Sequence, residues 1–286
     1  MSFIKPVGWA KFLSHGLKLP VKWKNPSGDP AAKHYDKAIK PEEKVAVPKL
    51  IPPFFMPHNM NKFHQQSCDD VGKIYKEIHD GMLDAIGFAH NLWKLQAKFK
   101  DLKIMSVSAI GAPGCLDGPE LESNIKNAPM VASWQDGKKK HRDAIAKAVS
   151  KCFKDWQGQV MVPGLPWYPA FAAFPGPMAP PMPNVPTPLI ACPSAMMTAM
   201  TPMTLKSEMD SALDGGIKNE DPEKHHEALH DAIATVLAAA FLLWLPAQQV
   251  IGVLGKGPIP SFAPPYVPVG PVVGGDNLAI PGHLAT

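Results

Sequence analysis

The chain has 286 residues, 45% of them hydrophobic, and a net charge of +4, so it can bury a sizeable core. It carries 33 prolines and only 19% charged residues. With apolar residues this plentiful, the composition excludes a solvated, disordered chain and points to ordered but irregular segments lying on a surface. Its one arginine, Arg142, argues against dedicated phosphate or base reading, which relies on bidentate guanidinium contacts.

Residues 1–66 read as a basic arm. The first 49 residues hold ten lysines against Asp29, Asp36, Glu42 and Glu43. Prolines punctuate the arm and no helical period is sustained, so a solvated segment is expected. Lys5, Pro6 and Lys11 interrupt the apolar residues near the start, and no signal peptide is read there. A helix is expected over about 67–78, running into the next one despite Gly72.

Three stretches then align without gaps: 80–93, 143–156 and 231–244. Each begins with aspartate (Asp80, Asp143, Asp231) and ends with tryptophan (Trp93, Trp156, Trp244). In the second, Ile145, Val149, Cys152, Phe153 and Trp156 fall on one face of a helix. Ile233, Leu237, Ala240, Phe241 and Trp244 occupy the same positions in the third, and Met82, Ile86, Ala89, His90 and Trp93 in the first. An aspartate at the front suits the positive end of a helix dipole. Asp84-Ala85-Ile86-Gly87 offers a second alignment of the first copy, shifted by one turn. The expected repeat core or interface is Trp93, Trp156, Trp244, Ile86, Val149, Phe153, Leu237 and Phe241.

A proline- and glycine-rich segment follows each helix. Proline at this density is read as forbidding central strands and favouring extended or loop geometry. The expected fold is therefore mainly α, with long irregular Pro/Gly-rich extended segments. Its organisation is a basic arm (1–66), then three helix-plus-tail repeats at 67–128, 129–203 and 204–286. After Asp231 the only charged side chains are Lys256 and Asp276, so the third copy is expected to be the buried or partner-facing one.

The candidate sites are few. His225, His226, Glu227 and His230 cluster at the front of the third helix. His226 and His230, four residues apart, could share a metal from one face, but no third ligand is marked, so no metal is assigned. Cys68, Cys115, Cys152 and Cys192 form no CxxC pair, which suits reduced thiols in a cytoplasm. Cys115 and Cys192 lie in turn-like surroundings without a nucleophile signature. The glycines around Gly252 and Gly255 lack the phosphate-loop and dinucleotide patterns. No catalytic residue and no cofactor is expected. The uncharged run 232–255 is long enough to suggest a membrane span, but Pro246, Gln248 and Gln249 interrupt it.

Extended apolar chain of this kind needs partners to cover it. The expectation is a structural, non-enzymatic subunit of a large assembly. Its general look resembles that of virion structural proteins, as in a bacteriophage tail or a contractile injection machine, with spike or baseplate association. It would be assembled in the cytoplasm, bound to other protein subunits and to no specific nucleic acid. Three copies in one chain could also meet a threefold partner. The alternatives are a membrane-associated or pore-type protein using 232–255, and an enzyme centred on the histidines or Cys115.

Overall fold

The computed structural model describes residues 1–18, 45–46, 62–259, 262–263 and 267–285. Most of the basic arm, and the Cys68 side chain, lie outside the described residues. The helices are α1 (Lys5–Ser14), α2 (Lys62–Gln96), α3 (Leu121–Lys126), α4 (Asp136–Gln157), α5 (Pro169–Ala172), α6 (Pro202–Ala212), α7 (Gly215–Glu220) and α8 (His225–Ala247). The principal strands are β1 (Lys103–Met105), β2 (Ser108–Gly111), β3 (Val162–Pro166), β4 (Met178–Pro183), β5 (Leu254–Pro258) and β6 (Val273–Asn277).

The mainly-α expectation is overturned. Among the described residues the fold is mixed α/β, 52% helical and 20% strand, with a six-stranded antiparallel sheet. The Pro/Gly-rich segments supply the strands, in spatial order β3-β2-β1-β6-β5-β4. The two edge strands also meet. Trp167, just after β3, bridges antiparallel to Asn184, just after β4, and the Val185 N–H donates to the Pro166 carbonyl at 2.8 Å. Taken round this seam the order is cyclic, β1 to β6, as in a small up-and-down barrel.

This geometry explains why the composition misleads. The buried strand residues are Ile104, Ala109, Gly111, Val162, Leu165, Ala179, Gly255, Gly257 and Gly275. A Cβ on Gly257 would lie 2.5 Å from the Gly275 Cα, and one on Gly255 would lie 2.5 Å from Ile104 Cδ1. So narrow a sheet requires glycine inside. Pro163, Pro180, Pro181, Pro183 and Pro258 sit on the exposed face. The pairing register shifts at Ala109/Gly111 and Gly255/Gly257, opposite the proline-bearing strands β3 and β4, which spares some of the ladder bonds that proline cannot donate.

The helices repeat the cyclic plan. The long helices α2, α4 and α8 each lead into a strand pair: β1–β2, β3–β4 and β5–β6. They run in the same sense, meeting near their starts at His141 and His230 and at their ends through the tryptophans. A shorter helix fills each gap around them: α3 packs on α2 and α4, α6 on α4 and α8, and α1 on α8 and α2. Thus α1, in the region read as a solvated arm, completes the ring. Pro6 sits in its first turn, Trp9 and Phe12 are buried, and Gly8 permits a backbone approach that a Cβ would block, 2.3 Å from His79 Nε2. The helix expected over 67–78 is part of α2, which continues unbroken through Gly72 to Gln96.

Candidate functional site

The fold has two ends of contrasting chemistry with a ring of aromatics between them. The ring comes from the last turns of α2, α4 and α8. Centroids of Trp93 and Trp156 are 6.4 Å apart, those of Trp93 and Trp244 6.0 Å, and those of Trp156 and Trp244 5.9 Å, close to an equilateral triangle. The ring three residues before each tryptophan meets the tryptophan of the preceding copy, taken cyclically, edge-on. His90 meets Trp244 at 4.7 Å and 89°, Phe153 meets Trp93 at 4.8 Å and 87°, and Phe241 meets Trp156 at 5.0 Å and 84°. T-shaped pairs add about 0.5–1.5 kcal/mol each beyond area burial.

Ile86, Val149 and Leu237, one turn earlier, are each about 1% exposed. All eight expected repeat-core residues are therefore buried, and the three tryptophans are brought together. The contacts follow the aspartate-to-tryptophan alignment. The one-turn shift would pair Ala97 with Trp156, and Ala97 has no ring to contribute. Two indole edges are satisfied, Trp93 Nε1–H donating to Gln157 (2.8 Å) and Trp244 Nε1–H to Gln248 (2.9 Å), whereas His90 Nε2 is buried without a partner.

Beyond the ring, the far end of the sheet carries the connections β1–β2, β3–β4 and β5–β6. They interlock through Ser106 N–H to Val272 O, Trp167 N–H to Val107 O and Ile259 N–H to Pro177 O. No charged side chain or histidine occurs between Asp155 and Lys206 or between Lys256 and Asp276. Met105, Val107, Tyr168, Met178 and Val273 are exposed here. The result is an uncharged, apolar apex with its backbone tied into a closed sheet.

The opposite end, at the starts of the long helices, holds a buried polar cluster. Asp221, between α7 and α8, takes both His225 Nδ1 (2.9 Å) and His226 Nδ1 (2.7 Å), and accepts the His226 N–H. Burial alone would raise the Asp221 carboxyl, but these bonds outweigh it and hold it well below the usual carboxylate range. Burial raises the pKa of the Tyr75 hydroxyl, and the negative charge of the neighbouring Asp221 adds to the rise. His230 Nδ1 pairs with Asp210 at 2.7 Å. Burial, then the neighbouring His230 and His226, push His141 down to about 4. Above the cluster, a groove of about 630 Å³ opens among Ile74, Tyr75, Ile78, Trp134 and Ile217.

The two histidines weighed as metal ligands turn to different carboxylates, with ring centroids 6.3 Å apart. Among the described residues, no three His, Cys, Asp or Glu side chains are placed to hold a metal ion. Cys115 and Cys192 are buried. Desolvation, the largest cause, raises the first thiol to about 11 and the second to about 12, so both are protonated and poor nucleophiles. Helix α8 is long and apolar enough to cross a membrane, and 72% of its apolar window is buried inside the fold.

Sequence reasoning missed Tyr75, His141 and Asp221, which come together only in three dimensions, and Asn184 at the seam. Asn184 was findable in principle, as a lone amide in a run of prolines and apolar residues. Its side chain donates to Val250 O and accepts from Val253 N–H, both at 3.0 Å. Comparison with protein-family models, curated proteins and solved structures finds no match for the chain.

Proposed function

We propose that this chain is a structural, non-enzymatic subunit of a large assembly that seats on a threefold partner, as a spike-associated component of a bacteriophage tail or contractile injection machine would. The observation that carries this reading is the cyclic contact pattern of Trp93, Trp156 and Trp244 within one chain. A homotrimer presents the same surface three times about its axis. A single chain with three related helix-and-hairpin units can match that surface once, on the axis, where three separate subunits would otherwise be needed.

The two ends fit this use. The helical end is wide and held together by ion pairs between elements, among them Lys5–Asp84 (2.6 Å), Lys151–Glu208 (2.7 Å) and Lys138–Glu77 (2.6 Å). The apex is narrow, closed and uncharged, which suits the end of an axial structure. The test is the copy number in a native particle, by mass measurement of the purified complex. One copy of this chain per three of its direct partner is expected. Equal copy numbers, or a particle in which the chain occurs only as a free monomer, would contradict the reading.

A further inference from the structure

The polar cluster at the helical end forms a loop of aromatic rings. Tyr75 lies 5.5 Å from His225 and 6.1 Å from His141, His141 lies 6.1 Å from His230, and His230 lies 6.3 Å from His226. Asp221 closes the loop by holding His225 and His226 together. All four histidines are buried, from 0% to 7% exposed. His141 Nδ1 and His230 Nε2 have no hydrogen-bond partner.

Four imidazoles thus share two carboxylates, Asp221 and Asp210, and Asp210 is also taken by Lys206 at 2.5 Å. We infer that this loop is an acid-sensitive latch: protonating its histidines releases α7 and the start of α8 from α2 and α4, and opens the Trp134 groove, while the sheet stays closed.

The charges around the loop set the direction. From α2 come Tyr75, Lys76 and the pair His79–Asp80; from α4, Lys138 and Arg142. From α6 come Lys206 and Asp210; from α7 and the residue after it, Glu220 and Asp221. From α8 come Glu227 and Asp231, and from α1, Lys11 and His15. The nearby carboxylates are already engaged, apart from Glu220, which is exposed at the rim of the groove. Asp231 pairs with Lys11 and His15, Asp80 with Lys76 and His79, and Glu227 with Lys224. Arg142, 7% exposed, adds a fixed positive charge that is held by Asp143 and the Val131 and Ala132 carbonyls.

A third imidazolium therefore has no buried counter-charge, and repulsion across about 6 Å in a buried site exceeds what water would allow. Opening relieves it by hydration. The part that gives way is α7, which has six residues, none of them buried, and whose capping residue Asp214 is tied to α4 by the exposed Lys140 at 3.2 Å. The apex contains no group that titrates in this range.

Hydrogen exchange of the full chain, corrected for intrinsic rates, tests the latch between pH 7 and 4.5. Peptides covering 213–230 and 133–141 are expected to lose at least tenfold in protection at a higher pH than peptides covering 103–111 and 254–259. His141→Gln should move that first transition to lower pH, leaving the order of the two regions unchanged. If that variant does not fold, His226→Gln serves the same purpose. Loss of protection in both regions at one pH would overturn the inference, as would a transition that neither variant moves.

Discussion

The helical end and the sheet end are stabilised by different physics. The helical end is cross-linked by ion pairs and buried histidines, with long helices whose apolar faces meet on the axis. The sheet end has almost no charge and is held by shape, with glycine inside, proline outside and a seam at Trp167 and Asn184. A fold of this kind separates two demands. The helical end carries the buried histidine cluster and ion pairs between its helices, while the six-stranded sheet carries the ion pair Lys103–Asp276 and the connections at its apex carry no charge. The tryptophan triangle is the joint between them.

The largest effect is expected at that joint. Trp156→Ala removes a 1%-exposed ring that meets Trp93, Phe241 and Trp244. A loss of about 3–5 kcal/mol in a denaturant titration is expected. Trp93→Ala should cost a similar amount, because the positions are equivalent. A loss below about 1 kcal/mol at either would break the picture of a shared joint.

Acid comes next. Burial, the leading cause in each case, pushes His141 and His283 down to about 4 and His90 to about 2, and lowers His79 and His230. These groups are depressed in the folded state, so the unfolded chain binds protons first. The stability they confer is complete above about pH 6.5 and is lost as pH falls towards 4. The loss is on the order of 3 kcal/mol for His141 alone. Equilibrium unfolding at a series of pH values measures it, and a stability that rises over that interval would contradict the account.

A pair of glycines then separates the two ends. Gly257→Ala places a Cβ 2.5 Å from the Gly275 backbone and is expected to cost about 2–3 kcal/mol. Gly215→Ala, at the start of α7 with open space around it, is expected to be neutral or to stabilise by about 0.5 kcal/mol. Equal costs at the two sites would remove the argument that the sheet is closed and tight.

The smallest effect concerns the odd member of the aromatic ring. His90 stands where the other copies have Phe153 and Phe241, and its Nε2 is buried without a partner. His90→Phe should be neutral or stabilising by up to about 1 kcal/mol, since it removes an unsatisfied polar atom at the loss of the Met1 amino contact at 3.1 Å.

The helical repeat was legible because burial imposes a 3.6-residue period that survives divergence, as Ile86, Val149 and Leu237 illustrate. The sheet was not. Its inward positions are glycine and alanine and its outward ones often proline, which inverts the usual strand signature of β-branched residues alternating with polar ones. Helix α1 was hidden by its shortness and by Gly8, whose role is visible only against His79. The lack of charge in the second and third tails was readable, but not that both converge on one apex. Of the histidine loop, His225, His226 and His230 were legible as a cluster, but not their meeting with Tyr75, His141 and Asp221, which come from separate parts of the chain.

The account rests on one closed threefold arrangement within a single chain, and on that arrangement meeting a threefold partner. An electron cryomicroscopy reconstruction of the native particle, processed without imposed symmetry, tests this most directly. The account predicts that the partner's threefold axis passes through the triangle of Trp93, Trp156 and Trp244, with the six strands closed around the same axis. A chain bound off axis, or seated only on a sixfold or unsymmetric partner, would contradict it.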